Sequence, residues 1–177
     1  MHSKGFRFRV LTIAGSFSLW NSFIFCKLMF TILAISDADK HFSGAIQEYE
    51  KRLGKLIFFD NLKPFKDENP QLVITKETDK LIEQLHKKYS QHQKILLIKE
   101  GKQYDSLGFS ELIQGKPTVF IIGGPYGVDE RRLKAEFSSL QELSFGAITL
   151  PHGLAKLTLI EQIYRATTLW SGKKYHY

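Results

Sequence analysis

Val119-Phe120-Ile121-Ile122-Gly123-Gly124-Pro125-Tyr126-Gly127 decides the fold of this chain. Four consecutive apolar residues without polar alternation read as a strand buried on both faces. The glycines that follow let the backbone turn sharply and let another group approach the main chain. Residues 129–137 then read as a helix. A strand that passes through a glycine turn into a helix is one unit of a parallel sheet.

Working outward, the same alternation recurs. Phe30 to Ile35 reads as a first strand, followed by Ser36-Asp37 with helix-capping chemistry. Phe42, Ile46, Tyr49 and Leu53 recur at helical spacing, and Gly54 ends that helix. Leu56 to Phe59 is a short apolar strand, and Pro64 to Pro70 a polar connection. Leu81, Ile82, Leu85 and Tyr89 mark a second helix. Lys94 to Ile98 is a strand running into Gly101. Phe109, Leu112 and Ile113 suggest a short helix, Ala147 to Leu150 a last strand, and His152 to Trp170 a final helix. These elements predict an α/β domain with a parallel sheet and helices on both faces. No repeat, low-complexity stretch or internal linker interrupts it.

The composition suits a packed core, with 177 residues, 43% of them hydrophobic and 14 of them Phe. A single cysteine, Cys26, excludes an internal disulfide. No Cys/His cluster has zinc-ligand spacing, so no metal is expected, and a reducing, cytoplasmic setting is the simplest fit. The formal charge of +7 suggests a polyanionic partner. Lys4, Arg7, Arg9 and Lys27 supply four of those charges within residues 1–28, where no acid stands. The remainder holds 21 basic against 18 acidic residues and is only mildly basic. Residues 10–35 carry one charge, Lys27, in a run rich in Leu, Ile and Phe, but Ser16, Ser18, Asn21 and Ser22 dilute the run, and no membrane association is expected. Met29 stands directly before the first strand. The expectation is a domain over 29–177, with residues 1–28 an extension arising from an upstream start; an interaction arm and a targeting segment are the alternatives.

Three segments carry candidate chemistry. The Gly123–Gly127 turn lies at the carboxyl end of a strand, where ligands bind parallel sheets. It is neither a P-loop, since no Gly-Lys-Ser/Thr follows, nor a full GxGxxG, and alone it also fits a plain tight turn. Thr149-Leu150-Pro151-His152 opens the last helix, with Lys156 one turn on along the same face; a capping histidine and a solvated lysine are the plain alternative. The tail Lys173-Lys174-Tyr175-His176-Tyr177 pairs cations with rings, as a nucleic-acid contact does, or is simply a frayed terminus. Apolar residues cover much of the final helix's circumference, which suggests a subunit interface as well as a core.

The order of these motifs resembles that of the pseudouridine N3-methyltransferases of the ribosomal large subunit, the RlmH family of the SPOUT class. Phe120 to Gly127, Leu143 to His152, Glu161-Gln162-Ile163-Tyr164-Arg165 and the terminal Tyr175-His176 carry the resemblance, which runs from about Met29 to Tyr177. It implies a C-terminal trefoil knot, which periodicity could not suggest, and a homodimer with the site at the subunit interface. It implies S-adenosyl-L-methionine as cofactor, held by Leu97, Gly123, Phe145, Gly146, Ala147, Ile148, Thr149 and Leu150. It further implies methylation of N3 of a pseudouridine in 23S rRNA within the ribosome. Candidate catalytic residues are His152, Lys156, Tyr175 and His176, with Lys156 and Arg165 able to hold phosphate. Lys156 stands where relatives usually carry Arg, keeping the charge but losing the bidentate fork. Phe145-Gly146 replaces a commoner Leu-Ser pair, and Tyr177 a basic residue. A non-catalytic RNA- or ribosome-binding protein of the same fold, and a different nucleotide-binding enzyme, are the competing readings.

Overall fold

The computed structural model describes residues 30–37 and 41–172. Five strands alternate with five helices. They are β1 (Phe30–Ile35), α1 (Ser43–Leu53), β2 (Ile57–Leu62), α2 (Pro70–Tyr89), β3 (Gln93–Gln103), α3 (Ser106–Ile113), β4 (Thr118–Ile122), α4 (Glu130–Glu136), β5 (Gln141–Ser144) and α5 (His152–Trp170). The strands form one sheet in the order β2-β1-β4-β3-β5, and every pair is parallel.

Strand periodicity divides the core into two layers. Phe30, Ile32 and Ala34 of β1 and Phe120 and Ile122 of β4 point to one face, where they meet Ile46 of α1, Phe109 and Ile113 of α3, and Leu159, Ile160 and Ile163 of α5. Leu33, Ile35, Val119 and Ile121 point to the other face, against Leu81, Leu85 and Tyr89 of α2 and Leu133 of α4. Both central strands are therefore buried on both sides, which is why they read as unbroken apolar runs. Deleting Ile121 to Ala would cost about 2–5 kcal/mol by opening a cavity in this core.

Several expectations need correction. Ser36-Asp37 does not cap the first described helix. The helix starts only at Ser43, behind Phe42 and without a side-chain cap, and Ser36 meets Lys156 instead. The second helix starts well before Leu81, at Pro70, where Asn69 accepts from the amides of Gln71 (3.0 Å) and Leu72 (3.4 Å). Proline at the first helical position costs no hydrogen bond, so Pro70 begins the helix rather than ending a loop. The last strand is Gln141–Ser144, not Ala147 to Leu150. Only Leu143 and Ser144 of β5 are buried, so its apolar signal is weak. The apolar run at 147–150 is a loop whose Ile148 is 70% exposed.

β3 and β5 pair in two stretches with a register shift between Leu97 and Lys102. At that shift Gly101 passes against the backbone of Leu143, where a β-carbon would lie 2.6 Å from the carbonyl carbon. Only glycine permits this approach. Among the described residues no helix is long and apolar enough to cross a membrane. Residues 1–28, with the reading of Met29 as the start, lie outside the described residues, as do Tyr175 and His176.

Candidate functional site

Where β3 leaves its pairing with β4, its Leu97–Glu100 stretch and the carboxyl end of β4 open into a cleft of about 260 Å³. One wall is the turn after β4. The Gly127 amide donates to the Gly124 carbonyl (2.9 Å), closing a turn with Pro125 at its second position. Gly127 has φ +81°, a left-handed conformation that suits glycine. Gly123 packs so closely that a β-carbon would lie 2.7 Å from Val128 Cγ1, and a β-carbon on Gly124 would collide with the Glu77 carboxyl. At the far end of the turn the Asp129 amide donates to Thr78 Oγ (2.9 Å). The Asp129 carboxylate in turn accepts from the Arg132 amide (3.1 Å), starting α4.

The opposite wall is the loop from Phe145 to Pro151. Its first residues are fixed by Ser144, whose hydroxyl lies 2.8 Å from the Lys99 carbonyl and accepts from the Gly146 amide (3.1 Å). Gly146 then adopts φ +125°, which explains glycine at this point of the loop. Leu97, Ile98, Ile122 and Leu143 form the apolar floor.

Of the residues expected around the cofactor, Leu97, Gly123, Phe145, Gly146, Ile148, Thr149 and Leu150 line this one cleft. Ala147 lies on the same loop but does not contribute to the lining. His152, the first residue of α5, lines it too. Burial lowers the imidazole pKa below its ordinary value, and the nearby Lys156 charge lowers it further. His152 is therefore neutral at physiological pH, with a ring nitrogen able to accept a proton.

Lys156 is not a solvated lysine. It is 6% exposed, and its ammonium donates to Ser36 Oγ (3.2 Å) and Asn61 Oδ1 (3.1 Å) at the ends of β1 and β2. It shares with His152 a second hollow beside the cleft, lined also by Pro64 and Pro125. Arg165 stands 13 residues beyond His152 on α5, about 20 Å along the axis at 1.5 Å per residue. It pairs with Glu161 at 2.9 Å and does not line this cleft.

Sequence reasoning missed the acids around the site. Glu100 and Glu130 line the cleft. The Glu130 pKa is raised by burial first, then by the Glu142 and Glu100 charges. Glu77, beneath the glycine turn, is fully buried, and burial raises its pKa as well. In the sequence each is one more acid on a helix or strand edge, and only the packing distinguishes it. Among the described residues no three His, Cys, Asp or Glu side chains gather as a metal site.

Comparison with known proteins agrees with this architecture. Residues 28–176 match the family model "Predicted SPOUT methyltransferase". The chain is 38% identical over 151 residues to ribosomal RNA large subunit methyltransferase H of Mycoplasmopsis agalactiae, covering 82% of this chain and 96% of the relative. It is 35% identical over 153 residues to the Streptococcus pyogenes protein of the same name, covering 78% and 92%. The fold also matches the crystal structure of ribosomal RNA small subunit methyltransferase E from Neisseria gonorrhoeae, bound to S-adenosyl methionine. That match has a TM-score of 0.52 and 14% identity, over 81% of this chain and 67% of the other. With a parallel sheet, a glycine turn and a second loop closing one cleft, this chain belongs to the SPOUT methyltransferase family, in the group of the ribosomal RNA large subunit methyltransferases H.

Proposed function

We propose that this chain methylates N3 of a pseudouridine in 23S rRNA on the assembled ribosome, using S-adenosyl-L-methionine. One observation carries the reading. Seven residues from three separated segments, singled out by the resemblance, converge on one cleft beside the middle of β3 and the carboxyl end of β4. The names of the full-length relatives support ribosomal RNA of the large subunit as substrate. The cofactor bound to the Neisseria gonorrhoeae protein supports the choice of cofactor.

The cleft suits that molecule chemically. Its floor is apolar, Gly123 and Gly146 bring main chain to its surface, and Glu100 and Glu130 place acid character nearby. Main-chain amides and carbonyls can read an adenine edge without polar side chains. Leu97, Gly123, Phe145, Gly146, Ala147, Ile148, Thr149 and Leu150 would hold the cofactor. When bound, it supplies an electrophilic methyl group on a sulfonium.

The remaining work falls to the chain. His152, half-buried and with a lowered pKa, would take the proton from N3 of the base. Lys156, fixed one turn away, supplies a positive charge that favours an anionic base beside it. Tyr175 and His176 complete the proposed catalytic set by stacking on or hydrogen-bonding the base. Unchanged turnover in His152→Ala or His176→Ala would remove that residue from the set.

The proposal includes a knotted C-terminal path and a homodimer in the cytoplasm. No residue of α5 is exposed, although Leu154, Leu157, Tyr164 and Leu169 are only half-buried within one chain. A second copy packed on that face would bury them. It would also add the cationic surface that the mildly basic body lacks. The family match begins at residue 28, which supports a domain over 29–177 preceded by an extension. The test is methyl transfer from labelled S-adenosylmethionine to ribosomes lacking the modification, with mass-spectrometric mapping. Label at N3 of a large-subunit pseudouridine is expected; label on another nucleotide, or none, would overturn the substrate assignment.

A further inference from the structure

Two neighbouring polar residues on α2, Glu77 and Thr78, are completely buried. They sit on the core-facing side of the helix, between Val73 and Leu81. Burial of such groups is unfavourable unless their polar atoms find partners. The Glu77 Oε1 atom accepts from the Phe65 amide at 3.0 Å. Its Oε2 atom is buried without a hydrogen-bond partner among the described residues, and it lies against Gly124, where any β-carbon would strike it. Thr78 accepts from the Asp129 amide at 2.9 Å. The pair therefore touches both ends of the segment from Gly124 to Asp129 and, through Phe65, the loop between β2 and α2. Those two loops meet again at Pro64 and Pro125, which line the hollow beside His152 and Lys156.

We propose that Glu77 and Thr78 are positioning residues. They fix the Gly123–Asp129 turn to the rigid helix α2, lock it to the loop around Phe65, and so hold one cofactor wall in its binding shape. This rests on the reading that the turn holds S-adenosylmethionine. Neither side chain lines the cleft, so their effect passes through the turn. The shape of the Glu77 side chain and its acceptor atom carry the role, because Oε1 holds the Phe65 amide and Oε2 fills the space against Gly124. Burial raises the Glu77 pKa, while the Phe65 amide and the Lys80 charge pull it down. Glutamine, isosteric with the neutral acid, can keep the bond to Phe65.

The test uses the full chain, with E77A, E77Q and T78V beside E83Q, an exposed change on the same helix. Amide hydrogen exchange and calorimetric titration with S-adenosylmethionine are both recorded. In E77A, exchange at residues 124–129 and at Phe65 is expected to rise about tenfold while β4 keeps its protection. Cofactor affinity is expected to fall about tenfold, with kcat at saturating cofactor and ribosomes within about threefold. E77Q restores both readouts to within about threefold of the parent, whereas T78V loosens the Asp129 end alone. Exchange and affinity in E77A equal to those of E83Q would overturn the proposal, as would an E77Q as impaired as E77A. If E77A does not fold, E77Q and T78V decide: a T78V indistinguishable from E83Q overturns the role of Thr78. If the parent binds no cofactor, the cofactor reading fails on its own, and the exchange measurements still decide whether the pair fixes the turn.

Discussion

The two walls of the cleft are built differently. The Gly123–Asp129 turn is held from beneath at both ends, closed by its own hydrogen bond, and packed so tightly that Gly123 and Gly124 leave no room for a β-carbon. The loop from Phe145 to Pro151 is anchored at its start by Ser144 and at its end by α5. Between them, Ala147, Ile148 and Thr149 are exposed. One wall is preformed, and the other offers apolar surface that only a ligand or partner would cover. A site of this kind fixes the position of its ligand with the first wall and buries it with the second.

The sharpest way to break that contrast is Gly124→Ala. The added methyl meets the buried Glu77 carboxyl, so the variant should lose about 1–3 kcal/mol of stability, read by denaturant unfolding, and most cofactor affinity. In an E77A background the same change should cost markedly less, because the colliding group is gone. Next in size, Ser144→Ala removes the tie between β5, the Lys99 carbonyl and Gly146. It should cost about 1–2 kcal/mol and loosen only the second wall, visible as faster exchange at Gly146 with Gly127 unchanged.

Lys156→Met tests the electrostatics. The His152 pKa is lowered by burial and by the Lys156 charge, so removing the charge moves it up toward the ordinary value. Activity that needs neutral His152 falls as pH falls through that pKa. The acid limb of the rate profile should therefore shift to higher pH in the variant; an unmoved limb would place the titrating group elsewhere. Smallest in stability is Ile148→Ser. At 70% exposure the side chain contributes little to folding, within about 0.5 kcal/mol, yet cofactor affinity should fall severalfold if this lip covers the ligand.

The preformed wall was also the more legible one. Val119 to Ile122 with the glycines behind them declared a buried strand and its turn, because burial on both faces leaves an unbroken apolar run. The second wall misled for the same reason in reverse. Ile148 and Leu150 are apolar side chains that line a cleft, and periodicity cannot distinguish a cleft from a core. β5, with only Leu143 and Ser144 buried, carried too weak a pattern to be placed. The motif order, rather than any single residue, singled out the cleft lining. The buried polar residues stayed hidden. Glu77 and Lys156 look like the surface charges around them, and their partners, Phe65 and Gly124 for one, Ser36 and Asn61 for the other, are distant in sequence.

A crystal structure of the chain grown with S-adenosylmethionine tests the central claim most directly. The account predicts the adenosine between the Gly123–Gly127 turn and the Phe145–Leu150 loop, with an ordered Ile148 over it and the methyl group directed toward the His152 side. Cofactor bound elsewhere on the chain, or bound with the glycine turn displaced from Glu77, would contradict it.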